Sequence, residues 1–130
     1  MNWFSKGVIA AFACIGALAG HHARAQEYHS PRMAAEEYNR LVEQCSENVG
    51  CWYNEWKRVE SALDNTYKGV QSHLTQVEIT RLRNSERAWT VSRDKDCDQI
   101  SPGRARGIPF YQCVTEAAIN RTAWLTDQNQ

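Results

Sequence analysis

The sequence predicts an all-α fold, a small irregular bundle of three to four helices held together by two disulfides. Apolar residues recur at steps of three and four along most of the chain, which is the period of amphipathic helices. No stretch of useful length shows the alternation typical of a half-buried strand. Four cysteines lie outside the N-terminal segment, and an even number in a short exported chain indicates two disulfides.

Residues 1–25 are predicted to be a cleaved signal peptide. Lys6 precedes the apolar run 7–20, and the segment 23–25, Ala-Arg-Ala, is a typical cleavage site. The apolar run is short for a transmembrane helix. Cys14 raises the alternative of a lipid anchor, which Phe12 and the apolar residues after the cysteine disfavour. We therefore expect a periplasmic or secreted protein without a membrane span.

Residues 26–130 are predicted to form a single domain, a length that suits one modest hydrophobic core. This part has 13 basic and 15 acidic side chains, a formal charge of −2. That balance argues against a nucleic acid or a polybasic membrane contact. Cys45, Cys51, Cys97 and Cys113 allow three pairings, and we favour the two local ones. Loops of these sizes would stabilise the fold by about 2.4 and about 3 kcal/mol, respectively, in the chain-entropy model.

The first two helices are predicted on either side of a turn at residues 46–50. Ser30 followed by Pro31 resembles an N-cap and a first turn, and that helix is expected to end near Cys45. The second is about six turns long, with Gly69 as a weak point. Its apolar stripe is Trp52, Trp56, Val59, Leu63, Tyr67, Val70 and Leu74.

Two further helices are predicted in the second half of the chain. Thr75 and Glu78 match a capping box, and the helix that follows is expected to stop at Cys97. A loop rich in glycine and proline covers residues 101–109, and Phe110 opens the last helix. The side chains of this helix that are expected to face the inside of the bundle are Val114, Ala117, Arg121, Trp124 and Leu125.

The chain resembles the LprI-type family over roughly residues 41–127. The resemblance is carried by Leu63 to Tyr67 and by the segment Trp89, Arg93, Asp94 and Cys97, spaced as Trp-x3-Arg-Asp-x2-Cys. Glu86, where the family usually has glutamine, and Ser92, where it often has an aromatic residue, depart from the pattern. The resemblance implies an exported helical domain, some relatives of which inhibit lysozyme-type peptidoglycan hydrolases. It defines no contact residues that can be carried over.

We interpret the motif residues as architecture. Leu63 and Tyr67 belong to the apolar stripe, and core packing is the expected role of Trp89. Arg93 follows Trp89 by one helical turn, where its guanidinium can stack on the indole ring. We expect Arg93 to pair with a carboxylate or a helix-end carbonyl, and Asp94 to lie beside it.

The loop 101–109 is the strongest candidate for a partner contact. Arg104 and Arg106 follow Gly103, and a flanking disulfide would reduce the ordering cost of binding. Lysozyme-type enzymes act through two carboxylates in a cleft. We hypothesise that one of these arginines pairs with those acids; the alternative is an unspecific solvated loop. Tyr53 falls off the apolar stripe and is a second candidate contact.

Catalytic and metal-binding motifs receive little support from the sequence. The acidic residues 94, 96 and 98 alternate as in a calcium loop, but the glycine and glutamate that such a loop requires are missing. His29 and His73 stand far apart, and no Cys-x-x-Cys motif occurs. We therefore expect no catalytic residue, metal or cofactor.

The function predicted is binding and inhibition of a lysozyme-like hydrolase by a monomer. The protein would act as an inhibitor of host lysozyme or as an immunity protein against a muramidase toxin. The alternative is a structural or stress-related envelope protein without a hydrolase target. A small enzyme has the least support.

Overall fold

The computed structural model describes residues 31–102 and 106–128, of which 88% are helical and none lies in a strand. The helices are α1 (Pro31–Cys45), α2 (Val49–Gln71), α3 (Gln76–Ile100) and α4 (Ile108–Gln128). The predicted all-α fold is confirmed. Among the described residues, no helix combines the length and the apolar character needed to cross a membrane.

Both disulfides join neighbouring helices and confirm the local pairing. The Cα–Cα distance is 5.3 Å for Cys45–Cys51 and 5.6 Å for Cys97–Cys113, within the usual range. The first bond joins the end of α1 to the start of α2, and the second joins the end of α3 to the start of α4. Short connections make successive helices antiparallel, so both bonds lie at one end of the bundle, which we call the disulfide end.

Helix α4 is the centre of the bundle, because it packs against each of the other three helices. Leu125 and Ala118 of α4 are fully buried, as are Leu41 of α1 and Trp52 of α2. The apolar stripe predicted for α2 faces this core, with Leu63 buried and Tyr67 half-buried. The prediction extended the stripe too far, because α2 ends at Gln71 and Leu74 packs against the core from the following turn.

Helix α3 contributes little to the apolar core. Only Leu82 and Cys97 are buried among its 25 residues. The predicted capping box is present: Thr75 N–H donates to Glu78 Oε2 over 2.8 Å, and Glu78 N–H donates to Thr75 Oγ1 over 3.4 Å. The sequence predicted that this helix stops at Cys97. The helix instead continues for almost one more turn to Ile100.

Trp124 was expected inside the bundle, and this prediction was wrong. Its side chain is 38% exposed. It lies on the solvent-facing line of α4, four residues after Asn120 and eight after Glu116, both of which are exposed. The core is filled instead by neighbouring residues of α4, namely Ala118, Ile119, Thr122 and Ala123.

Candidate protein-interaction surface

The turn between α1 and α2 fixes the start of α2. Asn48 is the N-cap, and its Oδ1 accepts from Cys51 N–H over 2.9 Å. The buried Trp52 donates from Nε1 to the carbonyl oxygen of Ser46 over 2.9 Å. With Trp52 facing inward, the next residue, Tyr53, faces outward and is 44% exposed. The exposure expected for Tyr53 from its position off the stripe is therefore observed.

Tyr53 belongs to a group of four aromatic side chains from α2 and α4, which we call the aromatic patch: Tyr53, Trp56, Phe110 and Tyr111. The Tyr53 and Tyr111 ring centroids are 5.6 Å apart, and Trp56 lies 5.8 Å from Tyr53 and 5.7 Å from Tyr111. Phe110 lies edge-on to Tyr111 at 5.5 Å. These distances are in the favourable range for aromatic pairs. Phe110 is buried and fixes the patch to the core.

Two cations flank the aromatic patch. The Arg106 guanidinium carbon lies 4.1 Å from the Phe110 ring centroid, and Lys57 Nζ lies 5.9 Å from the Trp56 centroid. Arg106 Nη2 is also 3.5 Å from Asp98 Oδ1, and both of these side chains are about half exposed. Arg106 therefore lies along the body of the protein.

The loop that carries Arg106 is bounded by the Cys97–Cys113 disulfide. Arg106 is the only one of its three predicted contact residues that can be placed, because Gly103 and Arg104 lie outside the described residues. The structure thus brings Tyr53 and Arg106 to one surface through Tyr111 and Phe110. Sequence reasoning missed these two connecting residues, because nothing in a local pattern links the start of α4 to α2.

The motif segment of α3 forms a separate, largely internal network. Arg93 pairs with Glu60 of α2 and donates from Nε to Asp94 Oδ1 over 2.9 Å. Its guanidinium lies 4.9 Å from the Trp89 centroid, and Arg121 of α4 lies 5.4 Å from the same ring. The carboxylate partner expected for Arg93 is thus Glu60, which also accepts from Trp56 Nε1 over 3.2 Å, at the margin of the aromatic patch.

Arg121 is the most buried cation of this network, with a side chain that is 9% exposed. Its Nε donates to Glu86 Oε2 over 3.0 Å, and its Nη2 donates to Ser85 Oγ over 2.9 Å. Trp124 covers the guanidinium from the solvent side, with the ring centroid 3.9 Å away. Since α3 buries so few apolar residues, these contacts and the disulfide hold it against α4.

Two grooves lie away from the aromatic patch. The larger, of about 490 Å³, runs between α1, α2 and α4, and Arg58 lies on its wall with Glu37. Burial alone would lower the pKa of Arg58, but hydrogen bonds and charges from Glu37 and Glu55 raise it above its ordinary value. The smaller groove lies beside Cys97–Cys113. Within the described residues, no three His, Cys, Asp or Glu side chains are grouped to hold a metal ion.

These features define a small helical unit that is held by two disulfides and has a partly exposed aromatic patch at one end. Its second half carries the polar network of Trp89, Arg93 and Arg121. The model of the family described as "Lysozyme inhibitor LprI" matches residues 33–125. The chain therefore belongs to the LprI lysozyme inhibitor family, as the resemblance indicated. Comparisons with curated proteins and with solved structures gave no match.

Proposed function

We propose that the protein binds and inhibits a lysozyme-type peptidoglycan hydrolase outside the cytoplasm. The observation that carries this proposal is the family match over residues 33–125, which begins in α1 and ends in α4. The family is one of inhibitors, so the proposed activity is binding and not catalysis. Either a host lysozyme or the muramidase toxin of a competitor is a suitable target class.

The disulfides support an extracytoplasmic site of action. Bonds of this kind form and persist in the periplasm and outside the cell, which are also the places where peptidoglycan hydrolases act. The signal peptide proposed for residues 1–25 would bring the chain there and is removed on export. We propose that the protein works there as a monomer, in the periplasm or after secretion.

The aromatic patch supports a role in protein recognition. Tyrosine, tryptophan and arginine are the residue types that most often dominate binding energy at interfaces. At the disulfide end, Tyr53 and Arg106 are both accessible, and the Cys97–Cys113 bond limits the freedom of the loop beside them. A rigid surface loses less conformational entropy on association, which favours tight binding.

Inhibition can be tested with protein exported into an oxidising compartment and purified with its disulfides intact. The protein is titrated against c-type and other lysozymes, and the clearing rate of a cell-wall suspension is recorded. We expect the rate to fall to zero at about one inhibitor per enzyme when the concentrations exceed the dissociation constant. Calorimetry at the same concentrations gives the stoichiometry independently.

The outcome separates this proposal from its alternative. A structural or stress-related envelope protein would leave every hydrolase rate unchanged and would give no heat of binding. Thermally unfolded, reduced and alkylated protein serves as the control, because it has the same composition without the fold. Inhibition by that control would show an unspecific effect and would contradict the proposal.

A further inference from the structure

We propose that the aromatic patch and its two flanking cations form the surface that enters the glycan-binding cleft of the inhibited hydrolase. In this arrangement Arg106 exchanges Asp98 for a carboxylate of the cleft. The inference rests on the proposed function and adds the contact surface and the chemistry of its partner.

The first argument is the exposure of apolar area at the disulfide end. Val49 is 47% exposed and Tyr53 44% exposed, and they lie one turn apart on the same face of α2. The partly buried Tyr111 of α4 stands beside Tyr53 and extends this face to a second helix. Continuous exposed patches of this kind mark interaction sites, whereas single exposed apolar residues are common everywhere.

The second argument is the rigidity of the patch. Tyr53 contacts both Trp56 and Tyr111, and Tyr111 rests on the buried Phe110. The helices that carry these rings each begin next to a disulfide, at Cys51 and at Cys113. Aromatic side chains held in this way provide a large contact area with little loss of rotamer freedom on binding.

The third argument is charge complementarity, which identifies the occupant. Arg106 and Lys57 lie at the two sides of the patch. Of the nearby acids, Asp98 is paired with Arg106, and Glu60 is paired with Arg93. A glycoside hydrolase cleft is concave and carries two carboxylates close together. An aromatic surface flanked by cations complements such a cleft in polarity and in charge.

The exchange proposed for Arg106 replaces its weak ion pair with Asp98 by an ion pair with a cleft carboxylate, which is less accessible to water. The Arg106–Asp98 distance is 3.5 Å, and solvent reaches both side chains, so this pair contributes little. Inside a cleft that excludes water, an arginine pairs with a carboxylate through two hydrogen bonds and more strongly. Stacking on Phe110 holds the guanidinium near this position before the partner binds.

Matched pairs of variants test the surface. Tyr53→Ala is compared with Val77→Ala, whose side chain is exposed at the opposite end of the bundle. Arg106→Ala is compared with Arg32→Ala, which removes an exposed arginine paired with Glu36. We expect each patch variant to raise the inhibition constant at least about thirtyfold, as hot-spot residues do, and each control to change it less than about threefold. Circular dichroism and melting curves confirm that all four variants fold.

Two measurements test the cleft itself. A trisaccharide of N-acetylglucosamine occupies the substrate site, so it should compete with the wild-type inhibitor in a binding titration. The second measurement uses a hydrolase in which the catalytic glutamate is replaced by glutamine. A double-mutant cycle with Arg106→Ala should then give a coupling of at least about threefold, because the paired groups interact directly.

The results distinguish the two proposals. If the wild-type protein inhibits but the patch variants inhibit equally well, the proposed surface is wrong and the inhibitory function stands. If the patch variants lose inhibition but the trisaccharide does not compete, the surface is right and the cleft is wrong as its partner site, so the further proposal fails as stated. If the wild-type protein neither binds nor inhibits any hydrolase, both proposals fall. Loss of inhibition in Val77→Ala or Arg32→Ala alone would place the contact at the other end of the bundle.

Discussion

Replacement of Arg121 by methionine tests whether a polar network holds α3 to α4. The variant keeps a long apolar stem but loses the hydrogen bonds to Glu86 and Ser85 and the stacking on Trp124. Hydrogen bonds to charged groups contribute about 1.5–3 kcal/mol each to the free energy of unfolding, and cation–π contacts contribute about 0.5–2 kcal/mol. Removing a buried cation also removes the cost of burying its charge, which offsets part of this loss. Breaking a buried pair costs about 3–5 kcal/mol. We expect Arg121→Met to lower the free energy of unfolding by about 3 kcal/mol. This is the low end of the range, because 18% of the Glu86 side chain is exposed and water can solvate its unpaired charge.

The assay is urea unfolding followed by far-UV circular dichroism at neutral pH with both disulfides intact. A loss of about 3 kcal/mol corresponds to a midpoint about 12–24 °C lower in thermal unfolding of a domain of this size. Arg32→Met is the matched control, since the Arg32 side chain is 87% exposed and its pair with Glu36 contributes little. A loss below about 1 kcal/mol for Arg121→Met would refute the reasoning, because the disulfide, the Arg93–Glu60 pair and apolar packing would then hold α3 without the Arg121 contacts.

Three further predictions concern stability. Replacing Cys97 and Cys113 together by serine should lower the free energy of unfolding by about 3 kcal/mol in urea titrations, and an unchanged midpoint would contradict this. Thr115→Val should stabilise the fold by about 1 kcal/mol, because no described residue offers a hydrogen-bond partner to the buried Thr115 Oγ1; destabilisation would argue otherwise. Hydrogen bonds from Thr75 hold the pKa of Glu78 below its ordinary value of 4.5. The stability that Glu78 adds is therefore present above that value and lost as the pH falls through the lowered pKa, so melting curves of Glu78→Gln and wild type should differ at about pH 7 and draw together in acid.

The fold follows from sequence periodicity to a large extent. The stripe from Trp52 to Val70 is continuous, and the capping box at Thr75 marks the start of α3 unambiguously. Errors arose where the periodic signal is weak. Only two residues of α3 are buried, so its end beyond Cys97 had no apolar pattern to mark it. Almost every side of α4 faces another helix, so its apolar residues do not form a single stripe. Trp124 lies on the narrow side that faces solvent, which the sequence pattern does not mark.

The candidate surface was less predictable than the fold. Periodicity shows which face of a helix is buried, but it does not show which residues of another helix lie opposite. Tyr53 was expected to be exposed, whereas its contact with Tyr111 depends on how α2 packs on α4. The same limit applied to Arg93 and Glu60, which are separated by 33 positions. The type of partner for Arg93 followed from chemistry, and its identity followed only from the structure.

The Cys97–Cys113 bond belongs both to the attachment of α3 and to the proposed contact surface, and these two roles can be separated. Arg121 lies two turns beyond Cys113 along α4, away from the disulfide end. Arg121→Met should therefore lower stability while leaving inhibition unchanged at temperatures well below its melting point. Loss of the disulfide should lower stability and also weaken inhibition, because the loop carrying Arg106 must then be ordered on binding. If both variants lost inhibition in proportion to stability, the disulfide would serve the fold alone, and the surface around Arg106 would need no preorganisation.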